Sequence, residues 1–363
     1  MMTRVACLAV MLLCASSMAG AQEIQLHPKV QRLEVEHAGP FVNISDDGVL
    51  CAVDTKALIS HDDGRTWEAH DMFGERPLKV RPEQALRRLR DGSIVLIFLN
   101  ENDRHWKWNK ETNSTDGEVW LHTWSARSTD NGKTWTDIHK LEHGYNGAMR
   151  DVIETEKGTL VTPVQRYLTE HARHATIAYF STDKGKSWQA SHLLDSGGRG
   201  HHDGSIESTL VQLKDGRIWI LLRTSLDYFW EAFSSDEGRT WQDFGPTKID
   251  ASSSPGILER LESGRLVLLW NRLYPEGDST VARRGGQHSE AEASWFREEL
   301  SMSFSDDDGK SWTDPVVIAR SPKGGRVSYP YVLERRPGEL WITTMQGGLR
   351  CKLNESDFVK GSR

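Results

Sequence analysis

Along most of this chain, apolar residues either alternate with polar ones or gather in short β-branched and aromatic runs, such as "SIVLIFLN", "VWLHTWSA", "RIWILLRT" and "LVLLWNR". Runs of this length bounded by "DG" or "SG" read as strands joined by tight turns. The pattern therefore predicts many short strands and an all-β fold.

A second pattern sits on the first. One polar phrase ending in Trp occurs five times: "SHDDGRTW" from Ser60, "STDNGKTW" from Ser128, "STDKGKSW" from Ser181, "SSDEGRTW" from Ser234 and "SDDDGKSW" from Ser305. The spacings are 68, 53, 53 and 71 residues, which marks a repeat architecture. Asp and Ser side chains bond nearby backbone amides, and Gly supplies a positive φ, so each phrase is a turn between strands. Its Trp is free to pack between neighbouring units. Four strands per unit make a propeller blade. Five phrases give five blades. The runs "VSYPYVLE", "ELWITTMQ" and "LRCKLN" after the last phrase give a sixth, completed by the N-terminal "VQRLEVEH" from the other end of the chain. The expected fold is a six-bladed β-propeller over residues 22–363.

The start of the chain reads as an address. Arg4, the apolar run "VACLAVMLLCA" and the small residues "SSMAGA" predict a signal peptide over residues 1–21, hence a secreted or periplasmic protein. That leaves 363 − 21 = 342 residues, and no later run approaches the ~20 apolar residues of a membrane span. A net charge of −7 without a basic stripe argues against nucleic acid. Of four cysteines, Cys51 and Cys351 lie outside the signal. They fit either a disulfide stapling the termini or two buried thiols. A monomer is expected.

S-x-D-x-G-x-x-W is the Asp box, and the chain resembles the sialidase (neuraminidase) superfamily over nearly all of its mature length. The resemblance implies a funnel at the mouths of the inner strands, with an arginine triad, an acid/base Asp and a Tyr–Glu pair. In "SIESTLVQLKDGRIWILLR", Glu207 and Arg223 match the family's Glu and Arg across one hairpin. Arg297, eight residues before Ser305, matches the third arginine. Tyr329 in "RVSYPYVLERRPGELWI" matches the nucleophile, with Tyr331 beside it, and Asp116 in "TDGEVWLHTWSARSTDNGKTW" matches the acid/base. Arg81 in "KVRPEQALRRLRDG" stands nearest the first triad arginine, but the family's Arg-Ile-Pro is altered there and its late supporting Glu is absent near "TTMQGG".

Arg150 in "GAMRDVIE" and His202 in "GRGHHDG" are further substrate-binding candidates outside the family's pattern. His201, His202 and Asp203 in a row resemble a metal site, but neighbours on an extended loop diverge and rarely share one ion. They are expected to touch substrate hydroxyls or brace the loop, and neither a metal nor another cofactor is expected. The polar stretch 275–295 is expected to form a lid or rim.

The residue types suit an acidic sugar. Planar guanidiniums grip a carboxylate through paired, charge-assisted hydrogen bonds. A neutral phenol escapes the repulsion that an Asp or Glu nucleophile would meet, and it needs a base because its usual pKa is about 10. The resemblance thus implies a secreted retaining exo-sialidase with Tyr329 as nucleophile, Glu207 as its base and Asp116 as acid/base. Two other readings stay open: a hydrolase or lyase acting on another acidic sugar of the uronic type, and a carbohydrate-binding propeller without catalysis.

Overall fold

The computed structural model describes residues 23–359 except Asp46, Gln287 and His288; the expected signal peptide lies outside the described residues. Six antiparallel sheets form a six-bladed β-propeller. The inner strands are Phe41–Asn43, Val80–Arg88, Ile153–Glu154, Ile206–Gln212, Ile257–Arg260 and Ser328–Arg336, one per blade.

The ring closes as the sequence predicts. Gln31 and Arg32 pair with Lys352 and Cys351, so the N-terminal segment supplies the fourth strand of the sixth blade. A second pairing was not foreseen. Gln25 and Leu26 pair with Arg320 and Ala319 as a fifth strand on the fifth blade, which covers an edge otherwise open to pairing with another chain.

Every Asp box joins the third strand of its blade to the fourth. In the second blade the amide of Gly132 donates to Ser128 Oγ at 2.9 Å, and the Thr134 amide and hydroxyl donate to the two Asp130 oxygens at 2.9 and 2.6 Å. The same bonds recur in the other four boxes. Two successive residues take positive φ, not the glycine alone: Asn131 at 60° and Gly132 at 88°. The box Trp fills the gap to the preceding blade. Trp135 joins a core with Val42, Leu50 and Ile59 of the first blade, and Trp241 one with Val161 and Phe180 of the third. Five of the six inter-blade cores hold such a Trp, whereas the core between the fifth and sixth blades has none among the described residues, because the sixth blade has no box.

Cys51 and Cys351 are both free and fully buried in different inter-blade cores. Burial pushes both thiols up, Cys351 to about 12, so they stay protonated. Of the two possibilities read from the sequence, the buried thiols are the one observed. A cavity of about 370 Å³ lies among the inner strands, lined by Arg87, Arg150, Glu259 and Tyr331 among others.

Candidate active site

The strand Ile206–Gln212 opens the fourth blade, and Ile218–Arg223 returns to the same end. Their register slips by one residue between Ile206 and Thr209, a bulge that holds Glu207 and turns its side chain out of the ladder. Glu207 has φ 43° and Tyr329, near the start of the sixth blade's inner strand, has φ 62°. Left-handed backbone at bulky residues costs on the order of 1–3 kcal/mol each and gathers at functional sites.

These two residues meet. Tyr329 Oη donates to Glu207 Oε1 at 2.7 Å. Arg223 Nη1 bonds Glu207 Oε2 and also donates to Tyr329 Oη at 3.2 Å. Ser253 Oγ accepts from Arg223 Nε and Nη2 at 3.3 and 3.0 Å, and its carbonyl accepts from Arg297 Nη2 at 2.7 Å. Arg297 Nη1 donates to Gln346 Oε1 at 3.0 Å. All four chemical groups are desolvated: Arg223 is 1% exposed, Tyr329 6%, Arg297 7% and Glu207 8%.

Burial alone would raise the Glu207 carboxyl, but the charge of Arg223 and the hydrogen bonds from Tyr329 and Arg223 outweigh it and hold the group below its ordinary value. Burial and the Glu207 charge push the Tyr329 phenol up, against the pull of Arg223 and Arg297. The resting pair is therefore a carboxylate accepting from a neutral phenol. That arrangement fits a latent nucleophile with its base already in place.

The other candidates are spread more widely. Arg150 is 2% exposed, lies 5.4 Å from the Tyr329 ring centroid and 4.4 Å from that of Tyr331, and donates to the Pro330 carbonyl at 2.5 Å. Tyr331 turns away from the pair and donates to the Pro82 carbonyl at 2.8 Å. His202 stands at the rim, edge-on to Trp295 at 5.3 Å. Arg81 sits on a register break between Val80 and Gln84 that contains Pro82, and it is held by Glu101 and by Glu83 at 3.3 Å. Asp116 is on an exposed hairpin, ion-paired with Lys107. Among the described residues no hydrogen bond or ion pair joins Arg81 or Asp116 to Tyr329, Glu207, Arg223 or Arg297.

Asp203 braces the wall. It accepts from the amides of Arg199 and Glu290 at 2.9 and 3.1 Å and from the Ser289 hydroxyl, tying loop 199–203 to the stretch 275–295. Arg283 adds a two-pronged pair with Asp227 at 2.9 and 2.7 Å. The described residues of the stretch form a braced rim. No cluster of three or more His, Cys, Asp or Glu suited to a metal occurs among the described residues.

The profile of the BNR repeat-like domain family matches residues 52–342. The chain belongs to that family. Among its relatives, a sialidase of Paraclostridium sordellii is 24% identical over 228 residues, covering 56% of this chain and 53% of that protein. A sialidase of Clostridium perfringens is 24% identical over 219 residues, covering 53% of each. The chain thus spans little more than half the length of these relatives. Among solved structures, a protein of unknown function from Dyadobacter fermentans superposes with TM-score 0.60 at 15% identity, covering 91% of this chain and 96% of that one. A Hadza microbial sialidase gives 0.60 at 15% identity, covering 89% and 66%. At such identities the structures establish the propeller fold that this BNR-repeat chain shares with sialidases.

Sequence reasoning missed Trp295 and Ser253. Trp295 lies over the guanidiniums of both Arg223 and Arg297, at 5.7 and 5.8 Å from ring centroid to Cζ. Its signal was present in "SWFREEL", where residues two apart on an extended segment share a side. Ser253, in the polar run "ASSSPG", carried no signal of its own.

Proposed function

We propose that this BNR-repeat propeller is a retaining exo-glycosidase that removes a terminal acidic sugar, with sialic acid the first substrate to test. The observation that carries the reading is the 2.7 Å hydrogen bond from Tyr329 to Glu207 with Arg223 on both groups. Distant similarity to the clostridial sialidases supports it. In the first step the Tyr329 oxygen would attack the anomeric carbon, its proton would pass to Glu207, and the bond to the leaving oxygen would break, an acidic aryl oxide departing as the anion and an alkoxide taking a proton from solvent. Water would then attack the anomeric carbon, break its bond to Tyr329 and give up a proton to solvent, with Glu207 returning the held proton to the phenol. Arg223 would steady the charge that moves between carboxylate and phenolate, and Arg297 would offer its guanidinium to the substrate carboxylate. The N-terminal apolar run supports export of the enzyme.

A second reading has an observation behind it. Because Arg81 is engaged by Glu83 and Glu101, the carboxylate grip is not the one the sialidase resemblance implies, which leaves room for a uronic acid. The test is release of the aryl group from an aryl α-sialoside, run with wild type, Tyr329→Phe and Glu207→Gln. Turnover by wild type alone supports the tyrosine mechanism. Turnover by folded Tyr329→Phe overturns it. A wild type silent on the sialoside but active on uronic-acid oligosaccharides moves the substrate to that class, and mass spectrometry separates a lyase product, short of one water, from a hydrolase product.

A further inference from the structure

The donor hydrogens around Tyr329 are unequally used. Arg223 directs Nε and Nη2 at Ser253 and Nη1 at both Glu207 and Tyr329, which occupies most of its five N–H groups. Arg297 uses Nη1 and Nη2, and its Nε has no hydrogen-bond partner among the described residues. Arg150 bonds the Pro330 carbonyl through Nη2 alone. Its Nε and Nη1 have no partner there, although the residue is 2% exposed.

A buried guanidinium without a counter-charge is expensive to keep, because water is gone and no anion replaces it. Stacking on Tyr331 at 4.4 Å and Tyr329 at 5.4 Å offsets part of that cost. The cation is unneutralised beside the phenol that the proposed reaction uses. Arg297 flanks the same ring at 5.3 Å. Arg81, by contrast, already has two carboxylates.

We propose that Arg150, and not Arg81, completes the substrate-carboxylate grip, acting with Arg297 around Tyr329. The inference rests on the acidic-glycan reading above and adds which residues recognise the acid. The N–H groups left for a carboxylate are two on Nη1 and one on Nε of Arg150 and one on Nε of Arg297, none with a protein partner among the described residues. The bulge at Pro82 that draws Arg81 toward Glu101 is thereby matched by a compensating cation from the neighbouring third blade. Specificity of this kind depends on the carboxylate and not on the rest of the sugar, so sialosides and uronides are both within reach of the same grip.

The test compares each acid with its own methyl ester, which keeps the ring and removes the charge. Binding of methyl α-sialoside and methyl β-glucuronide, and of their methyl esters, is followed by ligand-observed NMR with the full-length mature protein, its Arg150→Met, Arg150→Lys and Arg81→Met variants, and thermal melts to confirm folding. Wild type is expected to prefer at least one acid over its ester. Arg150→Met is expected to lose roughly ten- to a hundredfold of that preference, the range for charge-assisted hydrogen bonds. Arg81→Met should keep it within about threefold. Arg150 also braces the Pro330 carbonyl, so Arg150→Lys guards against a folding failure. It retains the charge without the planar fork and should lose roughly tenfold. A structural role would weaken acid and ester alike and would overturn the proposal. So would preference that survives Arg150→Met and vanishes in Arg81→Met. A wild type that binds no acid, or binds acid and ester equally, fails the acidic-glycan reading itself, an outcome distinct from the others.

Discussion

Tyr329 and Glu207, 122 residues apart, share a 2.7 Å hydrogen bond while both hold left-handed backbone, φ 62° and 43°. Strain at both ends of one bond means that the surrounding blades fix the pair more tightly than either local sequence would. The preorganisation is visible in the partners: Arg223 reaches both side chains, and Ser253 holds Arg223 and Arg297 together. Such an arrangement lowers the reorganisation needed when charge moves from carboxylate to phenol.

The pair should stay in its carboxylate–phenol state across neutral pH. Glu207 lies below its ordinary 4.5 and Tyr329 above its ordinary 10.0. With an aryl substrate whose leaving group needs no proton, kcat/KM is expected to stay level from about pH 5 to pH 9 and to fall only below the usual glutamate range. The same shift has a stability consequence. A depressed carboxyl contributes stability that is present above its unfolded pKa and is lost as pH falls through the folded one. An acid limb near neutrality in the pH–rate profile would show that Glu207 is not the base.

Asp151 works in the opposite sense. It is 8% exposed, and burial followed by the charge of Glu259 raises it from 3.8 to about 6. Between those values the folded state holds a proton that the unfolded chain has lost, so stability falls as pH rises through that window and stays lower above it. The shift corresponds to roughly 3 kcal/mol at about 1.4 kcal/mol per unit. Asp151→Asn keeps an oxygen for the Thr209 hydroxyl and the Leu210 amide, which now donate at 2.7 and 3.0 Å, and it removes the titration. The difference in melting temperature, variant minus wild type, should therefore grow from pH 4.5 to pH 7.5; a flat or shrinking difference would contradict the assignment.

Gly204 sets the approach of the strand that carries Glu207. Its φ is +94°, and a Cβ there would lie 1.7 Å from the His174 carbonyl oxygen, a backbone atom that cannot step aside. Gly216, in a turn with φ +88°, has nothing within 4 Å of an added Cβ. Replacing each with Ala separates conformational strain from collision. Gly216→Ala should cost about 1 kcal/mol. Gly204→Ala should cost about 3 kcal/mol or more and reduce turnover by moving Glu207. Equal melting temperatures for the two variants would refute the close approach.

The blades were legible because their signals are local. Turn chemistry and strand periodicity sit within eight residues of one another in every Asp box, and the closing strand followed from what was left over at the two chain ends. Glu207, Arg223, Arg297 and Tyr329 were picked out through the sialidase resemblance, each matching a family residue at its place relative to a box or a hairpin, and the structure brings the four together. The bulge at Pro82 was not legible. Whether Arg81 points at the axis or at Glu101 depends on two extra residues between Val80 and Gln84 in the ladder with Asn100 and Phe98, a register property that no local motif encodes. Ser253 reaches the site only through tertiary packing, from a polar run with no signal of its own, whereas Trp295 could have been found from its place two residues before Arg297.

Asp116 is the residue whose sequence and structural readings stand furthest apart. The sialidase resemblance makes it the acid/base, yet its carboxylate is about half exposed and paired with Lys107. Its hairpin is joined to the rim by the Arg199 guanidinium, which donates to the Thr112 carbonyl at 3.0 Å, and by a chain of rings, Trp106 on His201 at 4.5 Å, His201 on His202 at 4.5 Å and His202 on Trp295 at 5.3 Å. A general acid must come within about 3 Å of the leaving oxygen, directly or through one water. As placed here, Asp116→Asn should reduce turnover of a natural glycoside by less than about tenfold and leave an aryl substrate with an acidic leaving group unaffected. A loss of roughly a hundredfold or more on the natural glycoside alone would show instead that the hairpin carrying Trp106 and Trp108 closes over bound substrate and delivers Asp116 to the leaving oxygen. Comparing the two substrates in one variant separates these outcomes, because only proton delivery distinguishes them.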